Sequence, residues 1–246
     1  EKDPPLSADV LKVANSAYYG ATSSIDSIRR AVVILGFDTI KEMTTNVTTI
    51  HYFFNQQNQS QLDRPGLWLH SVGTAKASYL LADRLHYCRP DLAYSVGLLH
   101  DIGKILLAIT YPERYTEAVE LAKEKKARII LAERKMLNTD HTMIGKLLCD
   151  MWHLPEELSV ALFYHHDPMM TPQGSQKIAR IVNLGDYLCR RAKIGNPGDE
   201  LAPEPTPGIL ATVAKKKSTA LEKLDDIFEE FMEMKEGIEG FFSSLK

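Results

Sequence analysis

Seven successive stretches between residues 67 and 193 carry apolar side chains at helical spacing, while the two-residue alternation of a half-buried strand is almost absent. A chain patterned this way buries its apolar faces by packing helix on helix, which predicts an all-α fold. The stretches run over residues 67–85, 92–109, 112–125, 129–137, 141–152, 155–165 and 175–193. Upstream, residues 7–15 read as a short helix with Ser7 as N-cap and Val10, Leu11, Val13 and Ala14 on its apolar face. Residues 24–54 read as two helices broken at Gly36, the second starting at Asp38, and "NQQNQSQLDRPG" is a loop. Residues 195–208, "GNPGDELAPEPTPG", have the composition of a linker, and an amphipathic region over residues 209–245 follows.

The chain has 246 residues, enough for one large or two small domains at about 100–200 residues each. Its 44% hydrophobic and 25% charged residues exclude a disordered or fibrous class. A net charge of −3 removes the general attraction to nucleic acid or anionic membranes, so no direct DNA binding and no membrane association are expected. The one compact basic run, Lys215 to Lys217, reads as a solvated helix face. Cys88, Cys149 and Cys189 are widely spaced and form no CxxC pair, which fits free thiols of a reducing compartment. No run reaches about 18 consecutive apolar residues and no signal-peptide pattern is present, so a cytoplasmic protein is expected. The opening "EKDPPLSADVLKVANS" enters an amphipathic pattern at once, as in a piece of a longer chain.

Five of the eight histidines sit near helix ends or in apolar surroundings. These are His70 in "LWLHSVGTA", His100 in "LLHDIGK", His141 in "NTDHTMIGKLL", and His165 with His166 in "ALFYHHDP". Asp101 and Asp186 place carboxylates in similar runs, and a buried carboxylate needs a partner because an unpaired charge there costs several kcal/mol. A metal ion is one such partner. Read as helical neighbours, His100 and Asp101 are about 100° apart and can both face one groove. Lys104, three residues after Asp101, can reach a phosphate or a carboxylate at the same site. Mixed imidazole and carboxylate donors suit iron, manganese, zinc or nickel, and a carboxylate such as Asp101 can bridge two ions. His51, His86 and His153 are assigned to hydrogen-bonded core positions rather than to the site.

With His70 upstream and Asp186 downstream, "LLHDIGK" resembles the HD superfamily of metal-dependent phosphohydrolases. Three stretches resemble its HDOD branch: "VLKVANSAYYGATSSIDSIRRAVVILGF", "LWLHSVGTA" and "DHTMIGKLLCDMWHLPEELSVALFYHHDP". The likeness covers roughly residues 3–190. It implies an HDOD domain over residues 1–195, with an N-terminal helical lobe (1–58) and an HD-type bundle bearing the site (63–195), followed by a linker and C-terminal helical region (196–246). His70, His100, Asp101, His141, His165, His166 and Asp186 match the ligand set of the related HD-GYP cyclic-dinucleotide phosphodiesterases. By that resemblance His70, His100, Asp101 and Asp186 hold one transition-metal ion, and Asp101, His141, His165 and His166 a second, with iron or manganese ahead of zinc or nickel. The glycine, tyrosine, proline signature that follows the paired histidines in those enzymes is replaced here by "HHDPMMTPQGS".

Three functions follow from the resemblance. The first is a regulatory HDOD module of bacterial signalling, which binds a signalling protein and retains the metal site as a structural or sensory element. The second is a phosphohydrolase acting on a phosphoester or nucleotide, with Asp101 and Lys104 as the catalytic residues. The third is a di-iron oxygenase of the HD fold.

Overall fold

The computed structural model describes residues 10–11, 14–15, 25–41, 44, 60–202 and 204–245. All regular structure among them is helical, as the apolar spacing predicts. In chain order the helices whose bounds fall within the described residues are α1 (Ile28–Leu35), α2 (Arg64–Leu85), α3 (Pro90–Leu99), α4 (Ile102–Thr110), α5 (Pro112–Lys125), α6 (Ile129–Leu137), α7 (His141–Met151), α8 (Glu156–Phe163), α9 (Gln176–Arg191), α10 (Pro207–Leu210), α11 (Lys217–Glu233) and α12 (Lys235–Leu245). A single 3-10 turn, Pro168–Met170, lies between α8 and α9.

By packing the chain divides into residues 1–56 with 234–246, and residues 57–233. In the first unit α1 is capped by Ser27, whose hydroxyl accepts from Arg30 N–H, and ends at Gly36 with φ of 86°. That left-handed value suits glycine, and the break falls where the sequence places it. The Asn15 side chain bonds both the N–H and the C=O of Ile25, each at 2.8 Å. Ser7, Val13, His51 and residues 55–59 of the expected loop lie outside the described residues, and the last three residues of that loop, Arg64 to Gly66, instead form the first turn of α2.

The second unit is built around α2. Leu67, Trp68, His70, Thr74, Ala75, Ser78 and Leu81 bury it on all sides, as befits a central helix. The helices α3, α9 and α11 pack against it. Leu92, Val96, Cys149, Leu158, Leu162, Ile178 and Val182 form the core shared by α3, α7, α8 and α9. A smaller cluster of Ala118, Ala122, Ile129 and Ala132 joins α5 to α6.

Two sequence expectations need correction. Residues 92–109 do not form one helix: the chain breaks at His100 and Asp101, where Asp101 has φ −103° and ψ 8°. His100 and Asp101 therefore face each other from a turn rather than from adjacent positions on a helix. His86 and His153 are not core residues either, being exposed in left-handed positions just beyond α2 and α7, with φ of 48° and 54°. The segment Pro90–Thr110 is long and apolar enough by composition to cross a membrane, but 78% of its most apolar window is buried and His100, Asp101 and Lys104 interrupt it. Cys149 and Cys189 are buried free thiols and Cys88 is half-buried.

The linker-like stretch is bonded to the bundle. Asn196 N–H donates to Gly66 C=O at 2.8 Å, Ile129 N–H to Asp199 at 2.9 Å, and Arg190 to both Asp199 and the Leu201 carbonyl. Its prolines and glycines make a strap across the bundle.

The start of α7 is fixed by Asp140, whose carboxylate accepts from Thr142 N–H, Met143 N–H, the Thr142 hydroxyl and Arg134. Asp140→Ala removes this N-cap and is expected to cost about 1–2 kcal/mol in denaturant unfolding. Burial works to raise the Asp140 carboxyl, but these bonds hold it below its usual value of 3.8. The stabilisation is therefore present above that value and lost as pH falls through the lowered folded value, so wild type and variant should converge in acid.

Candidate metal centre

Helix ends and turns deliver most of the site. Asp101 occupies the N-cap position of α4, yet its side chain makes no capping bond, so neither oxygen is spent on the helix backbone. His141 is the first residue of α7, and His165 and His166 lie in the turn that ends α8. His70 and Asp186 come from the interiors of α2 and α9.

Two glycines allow the helices to come close enough. A Cβ at Gly103 would sit 2.0 Å from the His141 carbonyl oxygen, so α4 and α7 touch backbone to backbone beside Asp101 and His141. A Cβ at Gly185 would sit 2.2 Å from Ser78 Oγ and 3.0 Å from Ser78 N, so α9 settles on α2 where Asp186 meets His70.

The structure brings all seven predicted ligands together, in overlapping groups. Donor atoms of Asp101, His141, His165 and His166 lie within 4.8 Å of one another, as do those of His70, His100 and Asp101. Asp186 joins through His70, with Oδ1 2.9 Å from Nε2. The five imidazoles form a continuous chain of ring contacts from His70 through His100 and His165 to His166 and His141.

What the outer ring nitrogens touch decides the chemistry. His100 Nδ1 donates to Gly97 C=O at 2.7 Å and His165 Nδ1 to Leu162 C=O at 2.6 Å. His141 Nδ1 lies 2.5 Å from Glu133 Oε2. Each of these rings thus carries its proton outward and turns an Nε2 lone pair inward, the arrangement of histidine ligands. Three buried atoms at the centre, His100 Nε2, Asp101 Oδ1 and His165 Nε2, have no hydrogen-bond partner. Asp101 lies 3.2 Å from His100 Nε2 and 3.3 Å from His141 Nε2, close in distance but out of hydrogen-bond alignment. Each orphaned atom costs about 1–3 kcal/mol, a cost that a cation between them removes. The residues present fit a metal ion.

The electrostatics agree. Burial works to raise the Asp101 carboxyl, but His100, Lys104 and His141 outweigh it and hold it well below the usual carboxylate range. Burial also works to raise Asp186, while Arg190 and His70 hold it well below. Burial lowers His70, and burial with the neighbouring imidazoles pushes His165 and His166 far down. Neutral imidazoles and ionised carboxylates are the forms that bind metal.

Lys104 is completely buried, and its ammonium donates to Asp101 Oδ2 at 2.7 Å and the Pro197 carbonyl at 2.8 Å. Of the two partners considered from the sequence, it has found the carboxylate. Beside the centre lies a cavity of about 230 Å³ whose lining includes His166, Asp186, Arg190 and Arg128 together with Met169 and Ile209.

The HDOD model among known protein families matches residues 1–168, more than half of the chain. The chain belongs to the HDOD domain family. Asp186, Arg190 and the strap lie beyond the matched stretch of this HDOD domain. An HDOD domain protein of unknown function from Geobacter sulfurreducens is 27% identical with a TM-score of 0.77, the alignment covering 99% of this chain and 82% of that one. A protein provisionally assigned as a phosphohydrolase, from Shewanella amazonensis, shares the fold at 24% identity and a TM-score of 0.73, over 100% and 84% of the two chains. A relative from Treponema pallidum with no assigned function is 26% identical over 77% of this chain, which spans only 36% of that protein's length.

Sequence reasoning missed Glu133, Arg190 and Cys189. Glu133 is fully buried, accepting from His141 Nδ1, His141 N–H and the Tyr115 hydroxyl. An acid beside Ile129, Ile130 and Ala132 on a short helix was the available signal. Arg190 lies four residues after Asp186 on α9, at salt-bridge spacing. Cys189 Sγ sits 3.4 Å from His70 Nδ1, a contact no spacing rule foretells. Glu133→Gln keeps the size of the side chain but weakens its hold on His141. Manganese affinity measured by titration calorimetry is expected to fall about 10- to 100-fold, with the helical circular dichroism unchanged.

Proposed function

We propose that this HDOD domain is a regulatory module of a bacterial, cytoplasmic signalling protein, and that it holds a dinuclear His/Asp metal centre. The observation that carries the reading is that His100 Nε2, Asp101 Oδ1 and His165 Nε2, members of two donor clusters that share Asp101, are all buried and have no hydrogen-bond partner among the described residues. A bundle serving only as a binding surface has no reason to tolerate them. His70, His100, Asp101 and Asp186 are assigned to one ion, and Asp101, His141, His165 and His166 to the other, with Asp101 shared. Imidazole and carboxylate donors suit iron, manganese, zinc or nickel, and the family resemblance puts iron or manganese first. When bound, such an ion supplies Lewis acidity toward a phosphoryl oxygen.

The regulatory role is supported by what surrounds the centre. The ligands come from α2, α7, α9 and the turns after α3 and α8, so occupancy bears on the packing of the whole bundle. Lys104 is held by Asp101 and Pro197, and no cation follows His166 before Lys177. The residues thus favour holding the site together over clamping a large substrate, and a signalling protein is the proposed partner. Hydrolysis of a small phosphoester is the second reading, favoured by the cavity that opens onto His166 and Asp186. At about 230 Å³ it is smaller than the roughly 300–1,000 Å³ typical of drug-sized ligands, which argues against a cyclic dinucleotide.

Protein purified without added metal is expected to contain iron or manganese by elemental analysis. His100→Ala combined with Asp101→Ala should abolish this, and metal retained at the wild-type ratio would falsify the site. Chelation is expected to lower Tm by on the order of 5–10 °C, for a metal present at about 100 times its Kd. His86→Ala and His153→Ala should keep that response. Metal-loaded protein should turn over cyclic dinucleotides weakly or not at all; robust turnover lost in Asp101→Ala would put the enzyme reading first.

A further inference from the structure

We infer that Arg128 is the anchor for a phosphoryl group, and that the cavity beside the metal centre takes a small phosphomonoester. The inference rests on the metal-centre reading and assigns that site its ligand class.

Arg128 is the residue immediately before α6, half-buried, and its side chain lines the cavity together with His166 and Asp186. Its guanidinium has no hydrogen bond or carboxylate partner among the described residues, in contrast to the other arginines near the centre. Arg190 is taken by Asp186 at 2.8 Å and by Asp199 at 2.6 Å, and Arg134 by Asp140 at 2.7 Å. The remaining cavity carboxylates, Asp167 and Glu204, are exposed to solvent. Arg128 is thus a permanent cation lining the same concave space as His166, with no anion of its own among the described residues.

A guanidinium presents two parallel N–H donors that match the oxygens of a phosphoryl group, and adjacent metal ions would meet the remaining oxygens. The lining also carries apolar side chains, among them Pro168, Met169 and Ile209. A ligand with one dianionic head and a compact apolar body satisfies both kinds of lining. The volume of about 230 Å³ leaves no room for a second nucleotide-sized part.

The test is titration calorimetry of manganese-loaded protein with phenylphosphonate, whose P–C bond resists hydrolysis, and with benzoate as the carboxylate control. Wild type is expected to bind phenylphosphonate at least tenfold more tightly than benzoate. Arg128→Gln should weaken phenylphosphonate binding about 10- to 100-fold with manganese stoichiometry unchanged, and Arg128→Lys should restore only part of it. Equal binding by Arg128→Gln and wild type overturns the assignment, as does benzoate binding as tightly as phenylphosphonate, or no phenylphosphonate binding by the loaded wild type. A wild type that takes up no manganese overturns instead the metal-centre reading on which the assignment depends.

Discussion

Asp101 is a fully buried carboxylate at a break between two apolar helices, and the centre is organised around keeping it charged. Lys104, one turn along α4, is buried with it and donates to Oδ2. Oδ1 is left facing His141 with no hydrogen bond. A buried ion pair contributes little net stability, and an apolar pair of the same size commonly does as well. Its retention beside five histidines is better understood as function holding a costly arrangement in place, and the missing capping bond at the start of α4 points the same way.

The geometry around Asp101 depends on backbone approach more than on side-chain packing. Gly103 lets α4 meet the first turn of α7, and Gly185 lets α9 meet α2. At both contacts the neighbour is backbone or a short serine, which cannot swing aside as a flexible side chain can. The strap then locks what the glycines bring together. Its Pro197 carbonyl holds Lys104, which holds Asp101, while its Asp199 holds Arg190, which holds Asp186. Both carboxylates of the proposed first ion are therefore positioned through one segment of the chain.

This distribution explains what was legible in the sequence. Helical periodicity predicted the bundle, and the local His-Asp and His-His pairs drew attention to the right side chains. The break at His100 was hidden because apolar spacing continues through it, and an N-cap aspartate that does not cap looks the same in sequence as one that does. The strap was read as a linker because proline and glycine report backbone habit, not whether the segment lies against a surface. Glu133 and Arg190 make contacts across a turn, with His141 eight residues on and Asp199 nine residues on, and no helical spacing rule pairs residues that a turn separates. Asp101 to Lys104 was legible because both partners lie within one turn, and Asp186 to Arg190 has the same kind of spacing.

The charges at the centre suggest why occupancy and ligand binding should be linked. Counting only carboxylates, lysine and arginine, Asp101, Asp186, Glu133 and Asp199 bring four negative charges, and Lys104 and Arg190 bring two positive ones. A low-dielectric interior penalises that imbalance strongly, so the bare centre is an attractive cation site. One divalent ion would balance it. A second would reverse the sign and leave an excess of two positive charges at the mouth of the cavity, where Arg128 already adds a third. In that state a dianionic ligand becomes the species that restores neutrality, whereas in the singly loaded state it has little to gain. The number of ions held, more than the shape of the cavity, would then set whether the domain binds an anion at all.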